Sequence, residues 1–206
     1  MTTASYALPL PRPVLADFFP SVRARSVVLV AIGVLFTALL AQVSVPVPGS
    51  PVPITGQTLA VVLTAAALGP ARGVAVQVVY LLAALVGLPF YAEASGGVEV
   101  VFGATGGYVV GFIPAAYLIG TAARRGADRK LLAAVPLFVA GQALIFAVGV
   151  PWLAFSAGLT AEQALEAGFY PFIVGGIVKA ALAAGVLGLA WTAVRKTEPP
   201  SPGYHV

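Results

Sequence analysis

Long apolar runs, separated by short polar, glycine-rich or proline-rich breaks, dominate the chain. The first run covers residues 25–45 and ends in the cluster Pro46, Pro48, Pro51 and Pro53. The second, residues 56–69, is short and stops at Gly69-Pro70. The third covers 73–91 and is broken late by Gly87 and Pro89. A glycine-rich stretch, 92–107, leads into a fourth run that ends near Ala123. The fifth covers 131–150 and stops at Pro151-Trp152, and the sixth covers 170–194. The runs are apolar nearly all round, as expected of helices in lipid or deep in a core. Continuous apolar runs do not match the alternation of outer-membrane strands, and a helix closes its own backbone hydrogen bonds. The pattern predicts an all-α integral membrane protein with six transmembrane helices.

Composition supports that class. Hydrophobic residues make up 60% of the 206 positions and charged residues 9%, against about 25% charged in a soluble domain. Mean hydropathy is +1.00. At ~20 apolar residues per crossing, the length leaves room for about five to seven spans and little else. The expected organisation is a flexible proline-rich cytoplasmic tail (1–24), one membrane domain (25–194) and a short cytoplasmic tail (195–206). Pro9, Pro11, Pro13 and Pro20 interrupt the first residues, which lack the short apolar core and cleavage site of a signal peptide. There is no cysteine, so disulfides, thiol catalysis and cysteine-rich metal sites are not expected. The one histidine, His205, lies in the C-terminal tail, and neither metal nor cofactor is expected.

Charge placement fixes the expected topology. Arg12 and Arg23 precede the first run, Arg25 stands at its start, and Arg72 lies between the second and third. Arg124, Arg125, Arg129 and Lys130 lie between the fourth and fifth, and Arg195 and Lys196 follow the sixth. The other three connections carry only acids, Glu93, Glu99, Glu162 and Glu166. With six spans, ten of the eleven basic residues therefore share one side. This positive-inside pattern predicts both termini in the cytoplasm, and five or seven spans would spoil it. It also accounts for a pI near 9.6 without nucleic acid as a partner.

The eleventh basic residue, Lys179, stands inside the sixth run, about eight residues or ~12 Å beyond Pro171. A lysine at membrane depth costs roughly 2.5–3.5 kcal/mol on insertion scales, so it faces a partner or a watery cavity, or else snorkels to the headgroups. The predicted outer loops are 46–55, 92–105 and 151–169, rich in Pro, Gly, aromatic or acidic residues. Residues 96–108 read either as a dipping loop or lid, or as a glycine-rich connection with close helix packing. Tyr91, Tyr108, Trp152 and Phe172 fit the wall of an outward-open pocket for a small anionic or amphipathic molecule, or an interfacial aromatic belt.

The string Pro51-Val52-Pro53-Ile54-Thr55-Gly56-Gln57-Thr58-Leu59, followed by Leu68-Gly69-Pro70-Ala71-Arg72-Gly73, resembles the biotin-specific S components of energy-coupling-factor (ECF) transporters, the BioY family. Gly87-Leu88-Pro89, Gly96-Gly97, Thr105-Gly106-Gly107-Tyr108, Pro151-Trp152-Leu153, Pro171-Phe172 and Lys179 continue it in order. The resemblance covers residues 25–194. It implies high-affinity capture of extracellular biotin by a six-helix protein in the cell membrane of a prokaryote. It also implies partners: a membrane coupling (T) component and two ABC-type ATPases. The chain has no Gly-Lys-Ser/Thr phosphate loop, so ATP hydrolysis would fall to those partners. Substrate-binding candidates are Lys179, Glu93, Tyr91, Gly107, Tyr108, Gly176 and Trp152. Gly33, Thr37 and Ala41, spaced by four, are the candidate partner interface on the first helix, with Ala38 offering a competing register.

The chain departs from the family's familiar Pro-Phe-Leu-Pro-Gly-Asp-x-x-Lys motif. Val174 stands for its second proline and Gly176 for its aspartate. An aspartate three residues before Lys179 would share its helix face, where it neutralises the lysine or binds a ureido group. Without it, Lys179 must find another carboxylate, a carbonyl or the ligand. Glu93 is the available carboxylate from a binding-loop position, or else an ordinary solvated one. Other function classes fit less well. An intramembrane hydrolase needs a nucleophile with a base or paired acids, yet all seven acids lie outside the runs and no Gly-x-Ser-x-Gly elbow occurs. A channel needs a repeated filter, available here only by oligomerisation. The alternatives that stay open are a stand-alone biotin carrier and an S component for a different small acidic vitamin.

Overall fold

The computed structural model describes residues 12–18 and 23–197; the remainder of both expected tails, His205 included, lies outside the described residues. The fold is built of helices α1 (Arg23–Ala41), α2 (Gln57–Leu85), α3 (Val98–Phe102), α4 (Gly106–Ala123), α5 (Leu131–Ala157), α6 (Ala161–Gly168) and α7 (Phe172–Thr197). Among the described residues, four helices are long and apolar enough to cross a membrane: α2, α4, α5 and α7 up to Lys196. The apolar part of α1, Ser26–Ala41, is shorter.

α2 is folded in half. Gly69 leaves helical geometry at φ 81°, ψ 177°, a conformation that costs a residue with a Cβ, and Pro70 restarts the helix. The arms, residues 57–68 and 70–85, then run antiparallel. The Gln57 Nε2 donates to the Tyr80 hydroxyl at 2.6 Å, and Gln77 Nε2 donates to Thr64 Oγ1 at 3.3 Å. In a continuous helix, Gln57 and Tyr80 would stand ~34 Å apart. With the two arms counted separately and the short α3 and α6 set aside, the described residues form six longer helical rods, one for each apolar run of the sequence.

α4 is the central rod and packs chiefly on α2 and α5. Its Ala115, Ala116 and Ile119 are fully buried against a core that includes Val61, Val76, Phe138 and Ile145. A Cβ on Gly120 would fall 2.5 Å from the Pro70 nitrogen, so the α2 turn seats directly on the α4 backbone. The outer helices carry apolar side chains outward: Leu132 is 91% and Phe155 89% exposed. Such positions need an apolar environment outside the protein.

The sequence reading places the end of the fifth run at Pro151, but α5 continues through it to Ala157. Proline removes one hydrogen bond and strains the turn before it, yet the strong helix formers Leu153, Ala154 and Ala157 follow it and carry the helix on. Gly158, left-handed at φ 64°, ends it. The expected loop 151–169 is therefore mostly helical. Its second half forms α6, begun by a reciprocal Thr160–Gln163 capping box. Likewise, residues 46–55 are held by a two-residue antiparallel ribbon, Ser44–Val45 on Ile54–Thr55, where only loop is expected from the sequence.

Residues 12–18, which the sequence assigns to the tail, are docked on one end of the bundle. Val14 is fully buried, and the Arg12 N–H donates to the Arg124 carbonyl at 2.8 Å. Asp17 bridges Arg124 (2.7 Å) and Arg72 (3.4 Å), tying the α2 turn to the end of α4. At the same end, the Arg129 guanidinium stacks 4.2 Å over Trp191, whose indole N–H donates to the buried Asp128 at 2.7 Å. Burial pushes the Asp128 carboxyl above the usual carboxylate range, and the Trp191 hydrogen bond and the Arg129 charge offset part of that. Among the described residues, the connections at the other end of the bundle carry no lysine or arginine, and that end holds the cavity.

Candidate functional site

A cavity of ≈ 340 Å³ opens between the 46–55 ribbon, the α2 start, the 91–105 connection and helices α4, α5 and α7. That volume is in the range of small-molecule sites. Val52, Val109, Phe112, Ile145, Phe146 and Phe172 give it apolar walls. Phe146 meets Tyr108 and Phe169 edge-on at 6.3 and 5.2 Å, so the aromatic wall is braced from α4, α5 and the α6–α7 link.

Lys179 projects into this cavity from α7. Its ammonium donates to the Thr55 carbonyl at 2.6 Å and to Thr58 Oγ1 at 3.0 Å. Both partners are neutral. Among the described residues no carboxylate forms an ion pair with it, Glu93 included. An ammonium has three donors, so one N–H and the whole unit charge are left for the cavity. The partners come from the Pro-Ile-Thr-Gly-Gln-Thr string: Thr55 ends the ribbon and Thr58 lies in the first turn of α2. Lys179 therefore does not snorkel; it is tied to another element of the bundle 124 residues away in sequence.

Tyr91 also lines the cavity. It is buried beside Tyr80 at 5.2 Å between ring centres, and its hydroxyl has no hydrogen-bond partner among the described residues. Tyr80 differs: it accepts from Gln57 and donates to the Phe90 carbonyl at 2.9 Å. Glu93 reaches the cavity rim from an exposed turn in which it and Ala94 hold positive φ (58° and 54°). Such backbone is costly away from glycine and needs support. Gln42 supplies it, donating to the Tyr91 carbonyl (3.0 Å) and accepting from the Ala94 N–H (2.9 Å).

Of the sequence-derived candidates, Lys179, Glu93, Tyr91 and Tyr108 are brought together on the cavity lining. The Tyr108 hydroxyl is already used, donating to the Gly168 carbonyl at 2.9 Å, so its ring rather than its oxygen faces the site. Gly107, Trp152 and Gly176 are not lining residues. A Cβ on Gly107 would fall 2.5 Å from Trp152 Cγ, and the Trp152 indole N–H donates to the Gly103 carbonyl at 2.9 Å. These two lock the 92–105 connection onto α4 and α5. That segment is an ordered cover containing α3, with Val100 on the cavity wall.

The small-residue spacing on α1 also serves the fold. Thr37 and Ala41 are fully buried, and a Cβ on Gly33 would fall 2.6 Å from the Val76 side chain. The stripe packs α1 onto the second arm of α2. The face of α1 turned outward instead carries Val28, Ile32, Leu35 and Leu39.

Sequence reasoning missed the glutamines. Gln57 and Gln142 line the cavity, and Gln42 holds its rim. A carboxamide inside an apolar run is costly unless bonded, and that signal was present in the sequence.

Comparisons with known proteins agree with one another. The BioY family model matches residues 13–196. A probable biotin transporter BioY of Pyrococcus horikoshii is 38% identical over 161 residues, covering 78% of this chain and 93% of the relative. The biotin transporter BioY of Thermotoga maritima is 37% identical, covering 73% and 88%. That of Rhizobium etli is 34% identical, covering 81% and 92%. The crystal structure at 2.1 Å of the S component for biotin from an ECF-type ABC transporter matches with TM-score 0.76 at 24% identity. The match spans 85% of this chain and 93% of that one, and shows that the fold is shared.

Proposed function

The chain belongs to the BioY family, a family of transporters rather than enzymes, and from that premise we propose that it captures biotin and carries it across the membrane as the S component of an ECF-type transporter. The observation that carries the reading is Lys179: a half-buried cation on an apolar, aromatic-walled cavity, bonded only to neutral oxygens and keeping one donor for a ligand. Biotin suits such a site, since its fused rings fill apolar space and its carboxylate and ureido oxygens accept from an ammonium.

In this reading the six helical rods cross the plasma membrane of a prokaryote, with both termini in the cytoplasm and the basic end of the bundle facing inward. The cavity then opens outside. Biotin enters there, Lys179 makes the charge-assisted contact, Tyr91 and Glu93 act at the rim, and Tyr108 packs against the ligand. Gly107, Trp152 and Gly176 shape the site through packing. A coupling T component and two ABC-type ATPases reorient the loaded bundle for release, because the chain carries no nucleotide-binding loop of its own.

A stand-alone carrier is the second reading, and one observation favours it: Gly33, Thr37 and Ala41 are spent on packing within the chain. Uptake of radiolabelled biotin by cells expressing the chain with and without the T component and ATPases separates the two. Uptake only with the partners supports the S component. Equal uptake by the chain alone supports the carrier, and no uptake in either case overturns both.

A further inference from the structure

Gln142 is a buried carboxamide on the cavity side of α5, in a stretch otherwise built of Gly, Ala, Val, Leu, Ile and Phe. Its Nε2 donates to the Gly176 carbonyl of α7 at 2.7 Å. That bond fixes which way the amide points, because a carbonyl accepts only from nitrogen. Its Oε1 is turned toward the side-chain position of Gly176, and no described residue donates to it. The space it occupies exists because position 176 has no side chain: a Cβ there would fall 2.7 Å from Oε1. Gly176 and Lys179 share one face of α7, one turn apart. The wall therefore offers an acceptor at Gln142 and a cationic donor at Lys179, a pairing that complements a group holding both N–H and C=O.

We propose that Gln142 Oε1 is the acceptor that recognises a ureido N–H of the ligand, in the space that Gly176 leaves clear. This rests on the biotin reading above. A carboxamide from α5 takes the position that a side chain on residue 176 of α7 would otherwise fill. Recognition of the N–H there is neutral, and Lys179 keeps its charge for the ligand rather than for a neighbouring acid.

The test is the dissociation constant of the purified full-length protein for biotin and for the two analogues N-methylated at either ureido nitrogen. Wild type, Gln142→Leu, Gly176→Ala and the double variant are compared. Gln142→Leu is expected to weaken biotin roughly tenfold, the scale of one lost hydrogen bond to a ligand. One methylated analogue, already weak on wild type, is expected to lose nothing further. Gly176→Ala, whose methyl displaces the amide, is expected to weaken biotin, and the double variant to bind no worse than Gln142→Leu alone. Unchanged biotin affinity in Gln142→Leu overturns the proposal. So does an equal loss for biotin and both analogues, which makes Gln142 a packing residue. Absence of biotin binding by wild type overturns instead the biotin reading on which the proposal rests.

Discussion

The Lys179 ammonium lies 2.6 Å from the Thr55 carbonyl oxygen, joining the last helix to the ribbon before α2 across 124 residues of chain. The bond places a cation at the edge of an apolar cavity, with no carboxylate partner among the described residues. The polar residues that line the cavity with it, among them Thr58, Gln57, Gln142 and Tyr91, are neutral, except Glu93 at the rim. In the proposed reading the ligand supplies an acceptor for the remaining N–H, and the fold keeps the lysine from turning toward lipid by bonding it inward.

The unpartnered Tyr91 hydroxyl gives a variant whose effects on stability and binding have opposite signs. A buried hydroxyl without a partner costs the empty protein about 1–3 kcal/mol. Tyr91→Phe keeps the ring against Tyr80 and removes that cost. The expected outcome is an empty-protein melting temperature equal to or above wild type, with biotin affinity lowered about two- to tenfold. Thermal melts and calorimetric titration on the same preparation check it, and a variant that gains stability without losing affinity contradicts a ligand contact at this hydroxyl.

Gly107 tests the alternative to direct binding, that a residue shapes the site through packing. Its missing Cβ is replaced by Trp152, so Gly107→Ala forces the α4–α5 contact apart at a cost of about 1–3 kcal/mol. A lower melting temperature is expected with and without ligand. Wild-type stability combined with lost binding would instead assign Gly107 to the ligand surface.

Asp128 sets a pH dependence at the basic end. Because burial raises its carboxyl above the usual range, the folded chain holds that proton more tightly than the unfolded one. The stability it contributes is complete below the unfolded carboxylate value, near ~3.9, and is lost as pH rises through the raised folded value. Asp128→Asn keeps an acceptor for the Trp191 indole and removes the titration. Between about pH 4 and pH 7, the wild-type melting temperature is expected to fall more steeply than that of the variant. Parallel slopes would show that Asp128 does not change protonation on unfolding.

Much of the architecture was legible because lipid imposes simple demands. The six apolar runs correspond to six helical rods, and Gly69-Pro70 marked a turn through the two residues that make one. Lys179 stood out since a charge in such a run needs a reason. Less legible was anything decided by packing between runs. Pro151 looks like a stop, yet α5 passes through it because the residues beyond still favour helix. Gly33, Thr37 and Ala41 announce a close helix contact without saying with which helix, and the contact is internal. Gly107 and Trp152 fall beside the site rather than on it, a distinction of a few ångströms that no spacing encodes. The glutamines were readable in principle: a carboxamide in an apolar run signals a hydrogen-bond network, although not its partners.

The most direct measurement is calorimetric titration of biotin into the detergent-solubilised protein, wild type beside Lys179→Ala. The expected result is one tight site in wild type that weakens about ten- to a hundredfold in the variant, the scale of a charge-assisted hydrogen bond. Wild-type protein that binds no biotin, or a variant that binds as tightly as wild type, contradicts a biotin site built on Lys179.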